Sequence, residues 1–134
     1  MYMSAMADGS EPTMGRKIEL CPTLQAPGEA RRFVRQHAVE LGFPRLVDDA
    51  EAVISELATN ALEAAAKCPL WVHLRPVSGM LLLEVEDRSP DLPVFREPDY
   101  VAERGRGLHV VSALAVEIGW YRVLGGKIVW ALVK

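Results

Sequence analysis

Leu70-Trp-Val-His-Leu-Arg-Pro-Val77, Ser78-Gly79, Met80-Leu-Leu-Leu-Glu-Val-Glu-Asp87: in this order the chain presents two strand-like runs separated by a two-residue connection suited to a tight hairpin. The end of the chain repeats the arrangement, with Val116 to Val123 and Lys127 to Val133 closing around Leu124-Gly125-Gly126. Strands that arrive as hairpins, and do not alternate with helices, argue for a mostly antiparallel sheet with helices packed on one face, and against a doubly wound fold. The expected class is therefore α/β in the broad sense, an α+β two-layer sandwich with a mostly antiparallel mixed sheet.

Working outward from the hairpin, Pro69 stops a long helical pattern that begins at about Pro44 or Arg45 and runs to Lys67. In it Leu46, Val47, Ala50, Val53, Ile54, Leu57, Ala58, Ala61 and Ala65 recur at helical spacing. Before it, Ala30, Phe33, Val34, His37, Ala38 and Leu41 share one face of a first helix from Pro27, and Gly42 closes it. Arg16 to Cys21 alternates enough to be a short strand ended by Pro22. Residues 1–15 mix Met, Ser, Gly, Asp and Pro without a period, the composition of a flexible leader, so the folded domain is expected over 16–134. After the hairpin, Arg88 to Arg104 is rich in Pro, Asp, Glu and Arg and shows no lasting period. It reads as a long functional loop leading to a short helix from Gly107 to Ala115.

At 134 residues, half of them hydrophobic, the chain is the size of one domain with one substantial core. A net charge of −3 and the lack of any block of basic residues argue against a nucleic-acid surface. Cys21 and Cys68 lack metal-ligand spacing and read as free thiols of a cytoplasmic protein; no apolar run suggests a membrane span or a signal peptide. His37, His73 and His109 are dispersed, which disfavours a metal cluster, and no Ser stands in a nucleophile-elbow context. Trp71, Trp120 and Trp130 fall on predicted strands and read as packing residues.

Three places can carry chemistry. On the long helix Asp49, Glu56, Asn60 and Glu63 project within a narrow arc away from the apolar face. A solvated polar stripe would look similar, but Thr59 and Asn60 are mediocre helix formers mid-helix, and Glu56 and Asn60, one turn apart, make a sensible pair of oxygen donors. Mg²⁺ needs only one or two protein oxygens besides nucleotide phosphates, and a carboxylate nearby can deprotonate a hydroxyl. Asp87 shares the core-facing side of its strand with Leu81, Leu83 and Val85, so its carboxylate needs a donor. A backbone amide, Arg88 or the exocyclic amine of a purine would each serve. Gly105-Arg106-Gly107 leads into a helix whose N-terminal amides attract phosphate, although such a Gly-x-Gly is also a common turn.

Together these elements resemble the nucleotide-binding boxes of the histidine-kinase-like (Bergerat) ATPases, and most closely the anti-sigma-factor serine kinases of the actinobacterial branch. The resemblance covers about Ala30 to Lys134. Ser55-Glu56-Leu57-Ala58-Thr59-Asn60-Ala61 looks like the helix box, and Val85-Glu86-Asp87 with Pro90 and Pro93 like the adenine box. Gly105-Arg106-Gly107-Leu108 looks like the phosphate box, and Gly126-Lys127-Ile128-Val129-Trp130 like the last-strand signature.

The resemblance implies a Bergerat ATP-binding fold and ATP with Mg²⁺ as cofactors. Asn60 would hold the metal, and Glu56 would act as general base on a partner's serine. Asp87 would accept the adenine amino group, with Pro93 and Ile128 lining the nucleotide site. Gly105, Gly107 and Leu108 would cradle phosphate, and Arg106 would stabilise the transferred charge. The implied partners are a sigma factor, an antagonist protein carrying the serine substrate, and a second copy of the chain. Asp87 is followed by Arg88-Ser89-Pro90-Asp91, without the two glycines many relatives carry, and Ala64 stands where His is common. Ile128 replaces a usual Thr, a loss of about one hydrogen bond or ~1 kcal/mol. These departures motivate the alternative of a degenerate module that only sequesters its partner. A further, less favoured class is an ATPase with no protein substrate.

Overall fold

A computed structural model describes residues 15–65, 67–90 and 107–134, the last segment with side chains from residue 110 onward. The elements run β1 (Arg16–Leu20), α1 (Ala26–Glu40), a 3₁₀ turn (Pro44–Leu46), α2 (Val47–Ala64), β2 (Leu70–Val77), β3 (Met80–Asp87), α3 (Gly107–Leu114), β4 (Glu117–Val123) and β5 (Gly126–Val133). The five strands form one sheet in the order β1-β2-β3-β5-β4, and all its pairings are antiparallel. The expected mixed character is thus corrected. β3 and β4 do run in the same direction, but β5 lies between them and pairs with both, so no parallel ladder forms among the described residues.

The central hairpin has the bounds its sequence announces. Ser78 and Gly79 both take positive φ, 51° and 78°, the conformation whose twist matches that of the flanking strands. Helix α1 ends where Gly42 enters the left-handed region at φ 94°. There the Phe43 amide returns to Ala38 O at 2.8 Å and the Gly42 amide to Val39 O at 3.1 Å, a closure that satisfies the last carbonyls. Helix α2 is shorter than its apolar period suggests. Ala65 leaves helical geometry (φ −143°, ψ 63°), and the Cys68 amide bonds back to Ala65 O, turning the chain toward Pro69.

All three helices lie on one face of the sheet. Their buried side chains, among them Phe33, Val34, Val53, Ile54, Leu57 and Val111, meet Leu70, Val72, Leu74, Leu81, Leu83, Val85, Ala131 and Val133 in a single core. Within it α2 packs against α1, α3 and β3. The opposite sheet face carries no described helix. There Glu84 is buried, with Arg75 Nη2 and His73 Nδ1 at 3.0 and 3.2 Å from its Oε1, while Tyr121 donates to its Oε2 at 3.1 Å. No helix among the described residues is long and apolar enough to cross a membrane.

Candidate functional site

Asp87 ends β3 on the core side, as the two-residue period requires, and is 1% exposed. Its Oδ1 accepts from the Ser89 amide at 2.8 Å and from Lys127 Nζ at 3.1 Å. Lys127 stands directly across the β3–β5 ladder and is itself only 3% exposed. Of the donors open at the sequence level, a backbone amide is present, whereas Arg88 is engaged elsewhere. Its guanidinium lies 4.4 Å from the Trp71 ring centre, pairs with Glu86 at 2.9 Å and donates to Leu124 O. Asp87 Oδ2 is buried with no hydrogen-bond partner among the described residues. A buried carboxylate oxygen in that state costs free energy until a donor reaches it.

Gly126 sets how closely β5 approaches this point. A Cβ built there would lie 1.8 Å from Asp87 O, so any side chain would drive the strands apart beside the carboxylate.

On α2, which packs against β3, stand Glu56 and Asn60. The two ends of the polar arc, Asp49 and Glu63, are exposed, while Glu56 and Asn60 are half-buried. Thr59 has a local explanation, since its hydroxyl donates to Ser55 O at 2.8 Å within the helix. Asn60 has none: its Nδ2 is buried and unpartnered among the described residues. Burial raises the affinity of Glu56 for a proton above that of an ordinary glutamate, and the nearby charge of Glu63 adds to this. Arg31, which donates to Ser55 Oγ at 2.7 Å, partly offsets the rise.

The residues expected to form the site do not all meet. Ile128 pairs with Glu86 across the ladder and lines the sheet face away from the described helices, opposite Asp87. The structure thus does not bring its side chain to the face of Asp87. Lys127, one residue earlier, is the β5 side chain that reaches Asp87. A usable signal existed: Lys127 shares the period of Val129, Ala131 and Val133, and a core-facing ammonium demands an acid. Gly107 opens α3, with Leu108 next to it, while Pro93, Gly105 and Arg106 lie outside the described residues.

A pocket of about 170 Å³ opens on the sheet face away from the described helices, lined by Lys17, Trp71, His73, Glu84, Glu86, Tyr121 and Ile128. Its acids are already engaged, Glu84 as described and Glu86 by Arg88, so it offers less unmet hydrogen bonding than Asp87 and Asn60 do. Among the described residues no group of three or more His, Cys, Asp or Glu could hold a metal ion. A cation at Asn60 would need its remaining ligands from a bound anion and water, a mode that suits Mg²⁺.

No protein-family model and no curated protein matches the chain.

Proposed function

We propose that the chain is a cytoplasmic Mg·ATP-binding protein-serine kinase of the Bergerat type, which sequesters a sigma factor, phosphorylates an antagonist protein and works as a homodimer. One observation carries the reading. Two polar atoms, Asp87 Oδ2 and Asn60 Nδ2, are buried without partners among the described residues on β3 and α2, elements that pack against each other. An apolar core tolerates neither unmet group; a base amine would answer the Asp87 oxygen, and a phosphate oxygen would answer the Asn60 N–H.

In this reading Asp87 Oδ2 receives the exocyclic amine of the base. By a half-turn about its last side-chain bond the Asn60 amide can present its oxygen, the donor a hard cation requires. Bound Mg²⁺ would neutralise charge on the nucleotide phosphates. Glu56, with its raised proton affinity, suits a base that draws the proton from a serine hydroxyl. The phosphate cradle is assigned to Gly105, Gly107 and Leu108, and charge stabilisation to Arg106, by resemblance alone.

A second reading, a module that sequesters its partner with little or no nucleotide, is favoured by Lys127. Its ammonium already occupies one side of the acceptor carboxylate, and Ile128 is turned away. Calorimetric titration with ATP and Mg²⁺ separates the two. The kinase reading predicts measurable heat with wild type and at least about tenfold weaker Mg²⁺-dependent binding in Asn60→Ala. With binding established, phosphoryl transfer to a co-purified partner should vanish in Glu56→Ala. A wild-type titration without heat rejects the kinase reading.

A further inference from the structure

The ion pair at the end of β3 bears on which base the site reads, an inference that rests on the nucleotide-binding reading above. An ammonium carries three donors. Among the described residues Lys127 Nζ has Asp87 Oδ1 as its hydrogen-bond acceptor. The same carboxylate has, in Oδ2, an acceptor unpartnered among the described residues. The further N–H donors of the ammonium and the carboxylate oxygen left unpartnered among the described residues thus belong to directly opposed residues of β3 and β5. The complementary ligand edge has a donor next to an acceptor.

Both purines offer such an edge, with different strength. Adenine presents one amino N–H beside a ring nitrogen. Guanine presents the N1 and N2 hydrogens beside the O6 carbonyl. An ammonium bonds best to a carbonyl oxygen and a carboxylate to paired N–H donors, because charge-assisted bonds are the stronger and shorter ones. A carboxylate standing alone would read the amino group of adenine well. The added ammonium shifts the balance toward a 6-oxopurine.

We propose that Lys127 is a base-reading residue and that, together with Asp87, it makes the site accept guanine nucleotides at least as tightly as adenine nucleotides. A site built to donate to a carbonyl leaves a buried charge under-satisfied when a weaker acceptor takes its place.

Calorimetric titrations of the whole chain with Mg·GTP, Mg·ATP and Mg·ITP test this on the unaltered protein. GTP is expected to bind as tightly as ATP or more so, and ITP, which keeps O6 and the N1 hydrogen but lacks the 2-amino group, within about tenfold of GTP. Lys127→Gln, which can still donate to Asp87 but carries no charge, should lower the GTP-to-ATP affinity ratio by about fivefold or more. Circular dichroism establishes that this variant is folded, and the three wild-type titrations stand if it is not. ATP binding with GTP more than about twofold weaker, or an unchanged ratio in folded Lys127→Gln, overturns the proposal while leaving the nucleotide reading intact. If none of the three nucleotides binds, the underlying reading fails with it, and the pair serves packing alone.

Discussion

Replacing Lys127 by Met removes the ammonium while keeping the side chain's length, and leaves the Asp87 carboxylate, 1% exposed, with the Ser89 amide as its remaining described donor. Breaking a buried pair by deleting one partner typically costs about 3–5 kcal/mol, because the surviving charge stays desolvated. The native state of a domain this size is stabilised by only about 5–15 kcal/mol, so the variant should remain folded but with much of its margin gone. With an unfolding entropy near 2.1 cal/mol/K per residue, that loss corresponds to a Tm lower by roughly 10–18 °C. Asp87→Asn should cost a similar amount, since Lys127 is then the stranded charge. The double variant Asp87→Asn/Lys127→Met removes both charges yet keeps an acceptor for Ser89. It should recover at least about 2 kcal/mol of the summed single losses, because replacing a buried pair with neutral groups is often close to neutral. Urea unfolding followed by circular dichroism measures all four proteins. A Lys127→Met loss below about 1 kcal/mol, or strictly additive single losses, would refute the claim that the pair is a tightly coupled buried interaction.

Gly126→Ala should destabilise by about 3 kcal/mol or more in thermal unfolding, because its Cβ would meet Asp87 O at 1.8 Å and backbone has little room to give; an unchanged Tm would contradict the packing described. The raised proton affinity of Glu56 means that the folded state favours its protonated form. Its stabilising contribution is complete below the ordinary glutamate range and is lost as pH rises through the higher folded value. Glu56→Gln should therefore raise stability at neutral pH, by less than about 1 kcal/mol because the group is only half-buried, and should flatten the pH dependence just above the ordinary glutamate value. A drop in neutral-pH stability would contradict that sign. Tyr121→Phe loses a 3.1 Å bond to the buried Glu84 and should cost about 1.5–3 kcal/mol in urea unfolding; a change below about 0.5 kcal/mol would show that the hydroxyl is dispensable there.

The parts of the fold legible in the sequence are those set by neighbours along the chain. Ser78-Gly79 between two apolar runs places the central hairpin to the residue, and Gly42 marks the end of α1, because turn and cap chemistry act over a few positions. Periodicity also put Asp87 on the core side. What escaped depends on register between strands distant in sequence. Resemblance placed Ile128 at the site, but alternation along β5 sends it to the other face, and only the pairing of Asp87 with Lys127 across β3–β5 shows which side chain answers the carboxylate. The helical pattern of α2 extends to Lys67 while the helix ends at Ala64, since Ala64 and Ala65 favour helix but the turn into Pro69 overrides them. Thr59 and Asn60 looked alike as poor helix formers. One bonds within its own helix and the other keeps a buried group unmet among the described residues, a distinction of burial that composition does not carry.

Crystals grown with Mg²⁺ and a non-hydrolysable nucleoside triphosphate test the central claim most directly. The account predicts a base N–H within about 3 Å of Asp87 Oδ2 and a cation bound through the Asn60 side chain. A nucleotide seated elsewhere, or density in which Asp87 Oδ2 is met by the protein's own groups and Asn60 stands apart from the cation, would contradict it.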